Sequence, residues 1–190
     1  MVDNQDLKTI EVELQNQFIK TVADRANLTL NIDEPNIKVY TTFQDSKMVV
    51  VAEAPCVEDL HPDDFIVFIE NWADCIADIN PLLCRVDKLA PIQGYPVGRT
   101  VAQCPWPLSN RINICARYPV LNWKPNEHLM VMSVRGAESV NHLTEADKDC
   151  CLATLFIAGW HFEPVLNSCD EISGTRITYL IQADAGGNIP

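Results

Sequence analysis

Eight cysteines and four histidines carry the side chains best suited to nucleophilic, redox or metal chemistry, and their spacing is the first test of function. The cysteines stand at positions 56, 75, 84, 104, 115, 150, 151 and 169, with no Cys-x-x-Cys pair and no zinc-ribbon spacing. The N-terminal Met-Val-Asp-Asn-Gln-Asp lacks the basic and apolar regions of a signal peptide. The sequence therefore predicts reduced thiols, several buried as small hydrophobes. Cys150 and Cys151 read as one inward and one outward residue of a strand. His61, His128, His142 and His161 show neither His-Glu-x-x-His nor His-x-His spacing, so no metal site is expected. P-loop, GxGxxG, GxSxG and kinase signatures are missing, and Gly186-Gly187 reads as a turn. A Cys-His dyad has no local marker, and in a chain this acidic carboxylate pairs discriminate nothing.

Charge narrows the partners. Fourteen basic against 26 acidic residues leave a net charge of −12, which excludes a broad nucleic-acid footprint. It also disfavours permanent adhesion to an anionic membrane while leaving transient contact open. The 190 residues are 47 % apolar and 21 % charged, proportions of one globular domain spanning 1-190. The apolar run Cys150 to Trp160 is too short to cross a bilayer, so a soluble, cytoplasmic protein is expected.

The elements that must position these residues follow from periodicity. Leu7, Ile10, Leu14, Phe18, Val22 and Ala26 step by three or four, predicting an amphipathic helix over 5–26. Polar residues and Pro35 predict a break over 27–35. Strands are predicted at Ile37-Phe43 and Lys47-Ala54, joined by a hairpin connection over Gln44-Lys47 and stopped by Pro55. Between Cys56 and Pro81, Phe65, Phe68, Ile69, Trp72, Ile76 and Ile79 keep helical spacing, with Pro62-Asp63-Asp64 as a helix start. The acidic residues of this segment read as a solvated face; EF-hand spacing is missing. Further strands are predicted at Arg99-Cys104, Arg111-Tyr118, Leu129-Val134, Cys150-Ala158 and Thr175-Ala183, with Pro105-Trp106-Pro107 as a rigid turn. This order predicts α+β with a mainly antiparallel sheet.

Two strands show a mixed second face. Ile112, Ile114 and Ala116 oppose Asn113, Cys115 and Arg117, and Ile177, Tyr179, Ile181 and Ala183 oppose Arg176, Thr178, Leu180 and Gln182. One-sided solvent exposure accounts for that pattern, and so does an apolar cavity with a few orienting polar groups.

Four motifs in order carry a family resemblance. Cys104-Pro-Trp-Pro-Leu-Ser-Asn-Arg111 resembles the proline-rich turn and Asn/Ser-Arg-Asp segment of START lipid-transfer domains, the family related to the steroidogenic acute regulatory protein. Thr178 to Pro190 resembles that family's strand followed by Asp-x-x-Gly-x-hydrophobic-Pro, and Trp72 and Met132-Ser-Val-Arg135 fit the same order. The resemblance spans Ile37 to Pro190 and is nearest the phosphatidylcholine-transfer branch. It implies a helix-grip fold, a curved antiparallel sheet closing around one lipid. Function would be binding and transferring or sensing a phospholipid, sterol or fatty acyl lipid, with no cofactor and no bond chemistry. Arg117 matches a basic residue that points into the tunnel, and Gln103 stands near an acidic partner position. With Trp106, Met132, Trp160 and Tyr179 they form the implied lipid-binding set. The loop Arg135 to Lys148 matches the loop beside the tunnel mouth and is the implied gate.

This sequence departs from the pattern at three places. Ile69 and Ala73 replace the charged pair that holds a choline head group, and Ile112 replaces the Asp after the family's Arg. The chain ends at Pro190, where the pattern continues into a C-terminal helix. Either the gene product is truncated or the implied fold lacks that helix, leaving self-association through the uncovered tunnel or cover by the N-terminal helix. A ligand-free signalling or scaffold module and a helix-grip enzyme (a cyclase or hydrolase) remain the competing readings.

Overall fold

The computed structural model describes residues 6–187. Its N-terminal helix α1 (Leu7–Ala23) starts at Asp6, whose side chain accepts the Lys8 N–H at 3.1 Å. It is shorter than predicted, because a 3-10 turn at Arg25–Asn27 follows it. Leu7, Ile10, Leu14, Phe18 and Val22 form its buried stripe as their spacing requires.

Among the described residues ten strands form one sheet: β1 (Thr29–Glu34), β2 (Ile37–Gln44), β3 (Lys47–Glu58), β4 (Leu83–Ile92), β5 (Tyr95–Ala102), β6 (Asn110–Lys124), β7 (Glu127–Ser133), β8 (Cys150–Leu152), β9 (Thr154–Leu166) and β10 (Ile172–Asp184). They run in the order β1-β2-β3-β10-β9-β7-β6-β5-β4, antiparallel between neighbours, and β8 lies parallel to β6 off this path. The last strand, β10, sits between β3 and β9 in the interior of the sheet, while β1 lies at one edge.

Several boundaries correct the sequence reading. The break expected over 27–35 contains β1, an edge strand exposed along its whole length and held only by β2. With neither face buried, its signal is weak. The second unforeseen strand, β4, is the other edge, where Pro91 and charged residues are tolerated. Pro55 does not end β3: the ladder to β10 shifts between Thr175 and Ile177, opposite Pro55-Cys56, so the proline occupies a bulge. The hairpin between β2 and β3 is tighter than expected. Gln44 pairs with Lys47, and only Asp45 and Ser46 turn, both with positive φ. The strand expected to stop at Tyr118 continues through Pro119 to Lys124. The run expected as Cys150-Ala158 divides at Ala153, whose N–H donates to the Ile112 carbonyl. Cys150 and Cys151 are both half-buried, and all eight cysteines are free thiols.

Between β3 and β4 the helical segment splits. A 3-10 turn (Pro62–Phe65) is capped reciprocally by His61 and Asp64, and leads into α2 (Ile66–Glu70) and, after Asn71, α3 (Trp72–Ile79). Helix α1 covers one face of the sheet, packing Leu14 and Phe18 among Ile114, Leu129, Val131, Ile157 and Leu180. Helices α2 and α3 cover the other, packing Ile69, Trp72 and Ile76 against Cys115, Met130, Met132, Ala158 and Phe162. Both faces are therefore covered, which corrects the one-sided-exposure reading. The mixed sets divide between them: Cys115 and Arg117 lie under α2 and α3, while Leu180 joins the α1 side.

Candidate functional site

The α2–α3 side is incompletely filled. Between α3 and the strands lies an open groove of about 490 Å³, lined by Phe68, Trp72, Ile76, Ile79, Asn80, Leu83, Thr100, Ala102, Asn113, Met132, Leu155, Ala158, Trp160, Tyr179 and Ile181. That volume falls within the range of small-molecule sites, and the lining is mostly apolar with a few polar groups. The cover on this side is broken at Asn71 into two short helices.

An aromatic cluster forms one wall. Trp160 lies 4.7 Å from Tyr179 and 6.4 Å from Trp72 by ring centroids, and Phe68 meets it edge-on at 5.5 Å. Burial pushes the Tyr179 hydroxyl up to about 12. The polar lining comes from Asn80 after α3, Thr100 on β5 and Asn113 on β6. A latch holds the helices over the sheet: buried His128 on β7 accepts the Asn122 N–H at Nδ1 (3.1 Å), so Nε2 carries the proton donated to Asp63 at 2.8 Å.

The sequence-derived set separates into residues in the groove and residues outside it. Met132, Trp160 and Tyr179 line it. Arg117 is inward-facing and only 6 % exposed, but it lies beneath Trp72, its guanidinium 5.6 Å from that ring and Nη1 3.5 Å from the Ile69 carbonyl. Burial lowers its pKa, and its Nε, like the Trp72 Nε1, is buried without a hydrogen-bond partner. Gln103 is exposed and makes no recorded contact with Arg117; its N–H donates to the Leu82 carbonyl. Trp106 is 92 % exposed in its turn and does not line the groove. Both miss because β5 ends at Ala102, so the following residues leave the sheet.

Two further expectations are corrected. No residue of the loop 135–148 lines the groove. The loop is fastened instead: Arg135 pairs with Glu13 of α1, the Tyr118 hydroxyl donates to the Arg135 carbonyl, and Ala137 is fully buried on the α1 side. Asp147 is fully buried between Arg85 and Arg99; burial opposes its charge, but the Thr144 hydroxyl and Arg85 hold its carboxyl down at about 2. Nor does α1 cover the groove, since it packs on the opposite face. Thr100, Asn113, Ala158 and Ile181 were missed as groove residues. Their alternation along the strands was the available signal, but alternation does not say which face has an incomplete cover.

No protein-family model matches the sequence, and a search of curated proteins returns no significant match. Solved structures do match in shape. Human StAR-related lipid transfer protein 5 superposes with a TM-score of 0.72 at 11 % identity, covering 96 % of this chain and 84 % of its own. Human STARD10 gives 0.67 at 16 % identity, over 100 % of this chain and 71 % of that one. A STAR-related lipid transfer protein fragment from Xanthomonas axonopodis gives 0.65 at 18 % identity, over 86 % and 85 %. These likenesses show a START-like helix-grip fold. The motif Thr178 to Pro190 is described only as far as Gly187, so its final three residues lie outside the described residues.

Proposed function

We propose that the groove holds the apolar part of one lipid molecule and that the protein carries or senses it between membranes. The observation that carries this reading is the apolar, half-open space of about 490 Å³ on a fold shared with lipid-transfer proteins. Each methylene withdrawn from water there contributes roughly 0.8 kcal/mol, so such a groove competes with a bilayer for an acyl or ring system. Asn80, Thr100 and Asn113 would orient the ligand's oxygen atoms. No carboxylate, histidine or cysteine stands among the lining residues, which supports carriage over bond chemistry.

Ile69 and Ala73 are buried against the sheet and provide no charge for a choline phosphate, which favours a sterol, acylglycerol or fatty acyl ligand over a choline phospholipid. Arg117 serves a ligand head group in this reading only if Trp72 swings aside; otherwise its guanidinium braces α2. Ile79 and Leu82, each 63 % exposed, and the exposed Trp106 are the apolar side chains offered for transient membrane contact. A cytoplasmic setting fits the free thiols, and no helix among the described residues is long and apolar enough to cross a membrane.

Native mass spectrometry of the chain extracted from cells tests the reading directly. One lipid per chain is expected, with vesicle-to-vesicle transfer of that lipid, and Ile181→Trp should reduce capture about tenfold by filling the groove. A lipid-free chain that takes nothing from vesicles would instead support the scaffold reading. Sedimentation at rising concentration tests self-association.

A further inference from the structure

A second cluster lies on the α1 side, away from the groove. Glu127 opens β7, while His161 and Glu163 stand two residues apart on β9 and so share a face. The register that pairs His128 with Phe162 places Glu127 directly across from Glu163. Like charges facing each other on adjacent strands repel. Here both carboxylates are largely covered, with side chains 15 % and 27 % exposed. Lys124, 3.2 Å from Glu127, answers one of them from the solvent side. Glu163 is paired across the other strand boundary with Arg176 of β10, outside the space between the two acids.

His161 sits between the two acids. Its Nε2 is 3.2 Å from the Glu127 carboxylate and its Nδ1 is 3.4 Å from that of Glu163. The residue is 3 % exposed, and Nδ1 makes no hydrogen bond. Phe18 and Trp123 hold the ring edge-on, with centroids at 6.5 Å and 5.7 Å. One ligand atom from each of Glu127, His161 and Glu163 lies within 4.8 Å of the others.

We propose that Glu127, His161 and Glu163 bind a divalent transition-metal ion of the Zn²⁺, Mn²⁺ or Co²⁺ class. One imidazole with two carboxylates suits such ions better than the all-oxygen shells of Ca²⁺ or Mg²⁺. The ion relieves the cross-strand repulsion, gives the unbonded Nδ1 a partner, and takes water in its remaining positions. Its place dictates its role. It clamps the β6–β7 hairpin onto β9 beside Phe18, stiffening the sheet behind the groove. The sequence concealed this site because its third ligand comes from a neighbouring strand, not from a His-x-His repeat.

Mn²⁺ is the probe of choice, because exposed thiols at Cys56, Cys84 and Cys169 would compete for zinc. The full chain is stripped with EDTA and titrated with Mn²⁺, followed by electron paramagnetic resonance and by thermal melting. One Mn²⁺ per chain and a raised melting temperature are expected. Glu163→Gln and Glu127→Gln, which keep side-chain shape, should each weaken binding about tenfold or more. Either variant suffices if the other does not fold by circular dichroism. Failure of Mn²⁺ to bind overturns the proposal. So does binding unchanged in a folded Gln variant.

Discussion

The two faces of the sheet are closed in different ways. One long helix, α1, lays five buried apolar residues along one face and joins them into one core cluster with the strands. The other face is covered by a five-residue and an eight-residue helix, and the mismatch leaves the groove. The same strands supply both faces, so composition does not separate them. Ala158 and Gly159 are chain neighbours, yet Ala158 lines the groove while a Cβ on Gly159 would stand 2.6 Å from the Met130 carbonyl oxygen and 3.0 Å from the Phe18 ring. Stability is concentrated on the α1 face and room for a ligand on the other.

Substitutions on the two faces should therefore differ in kind. The largest effect is expected at Phe18, which is fully buried: Phe18→Ala should cost about 3–5 kcal/mol in denaturant unfolding. A loss below about 1 kcal/mol would mean the α1 face is not the stability core. Next comes the neighbouring pair. Gly159→Ala should cost about 1–3 kcal/mol through overpacking. Ala158→Val should leave the unfolding midpoint nearly unchanged while reducing lipid capture; equal destabilisation by both would erase the contrast.

Acid titration sharpens the comparison further. Asp147 has a depressed pKa, so its contribution is complete above the ordinary aspartate value of 3.8 and is lost as pH falls towards about 2. Melting temperature should drop across that window, and Asp147→Asn should flatten the drop. A variant that keeps the wild-type acid profile would place the responsible carboxylate elsewhere. The smallest stability effect is expected at Arg117. Its charge is buried with only a 3.5 Å contact to a carbonyl and an aromatic neighbour, so Arg117→Met should change stability by less than about 1 kcal/mol. Lipid capture measured in the same variant decides whether the guanidinium meets a ligand: unchanged capture assigns it to bracing α2.

Much of the fold was legible because it is written in local periodicity. The stripe of α1 and the alternation of apolar and polar residues in β6 and β10 are one-dimensional signals of burial. The edge strands β1 and β4 were not foreseen, since edges bury little and tolerate charge and proline. Pro55 misled in the opposite direction, because a bulge removes the ladder bond that a proline cannot make. Within the groove, Met132, Trp160 and Tyr179 were anticipated, whereas Gln103 and Trp106 were placed inside from motif position alone and stand outside.

By itself the sequence determined which segments are amphipathic, which thiols have no partner in a spaced motif, and that a mainly antiparallel sheet follows an N-terminal helix. Those properties depend on neighbours within a few residues. Tertiary structure alone decided which face of the sheet carries the apolar groove, and that Arg117 lies beneath Trp72. It also brought Glu127 to His161 and Glu163. These depend on how far each helix reaches across strands distant in sequence, and on cross-strand register, quantities that no local spacing encodes.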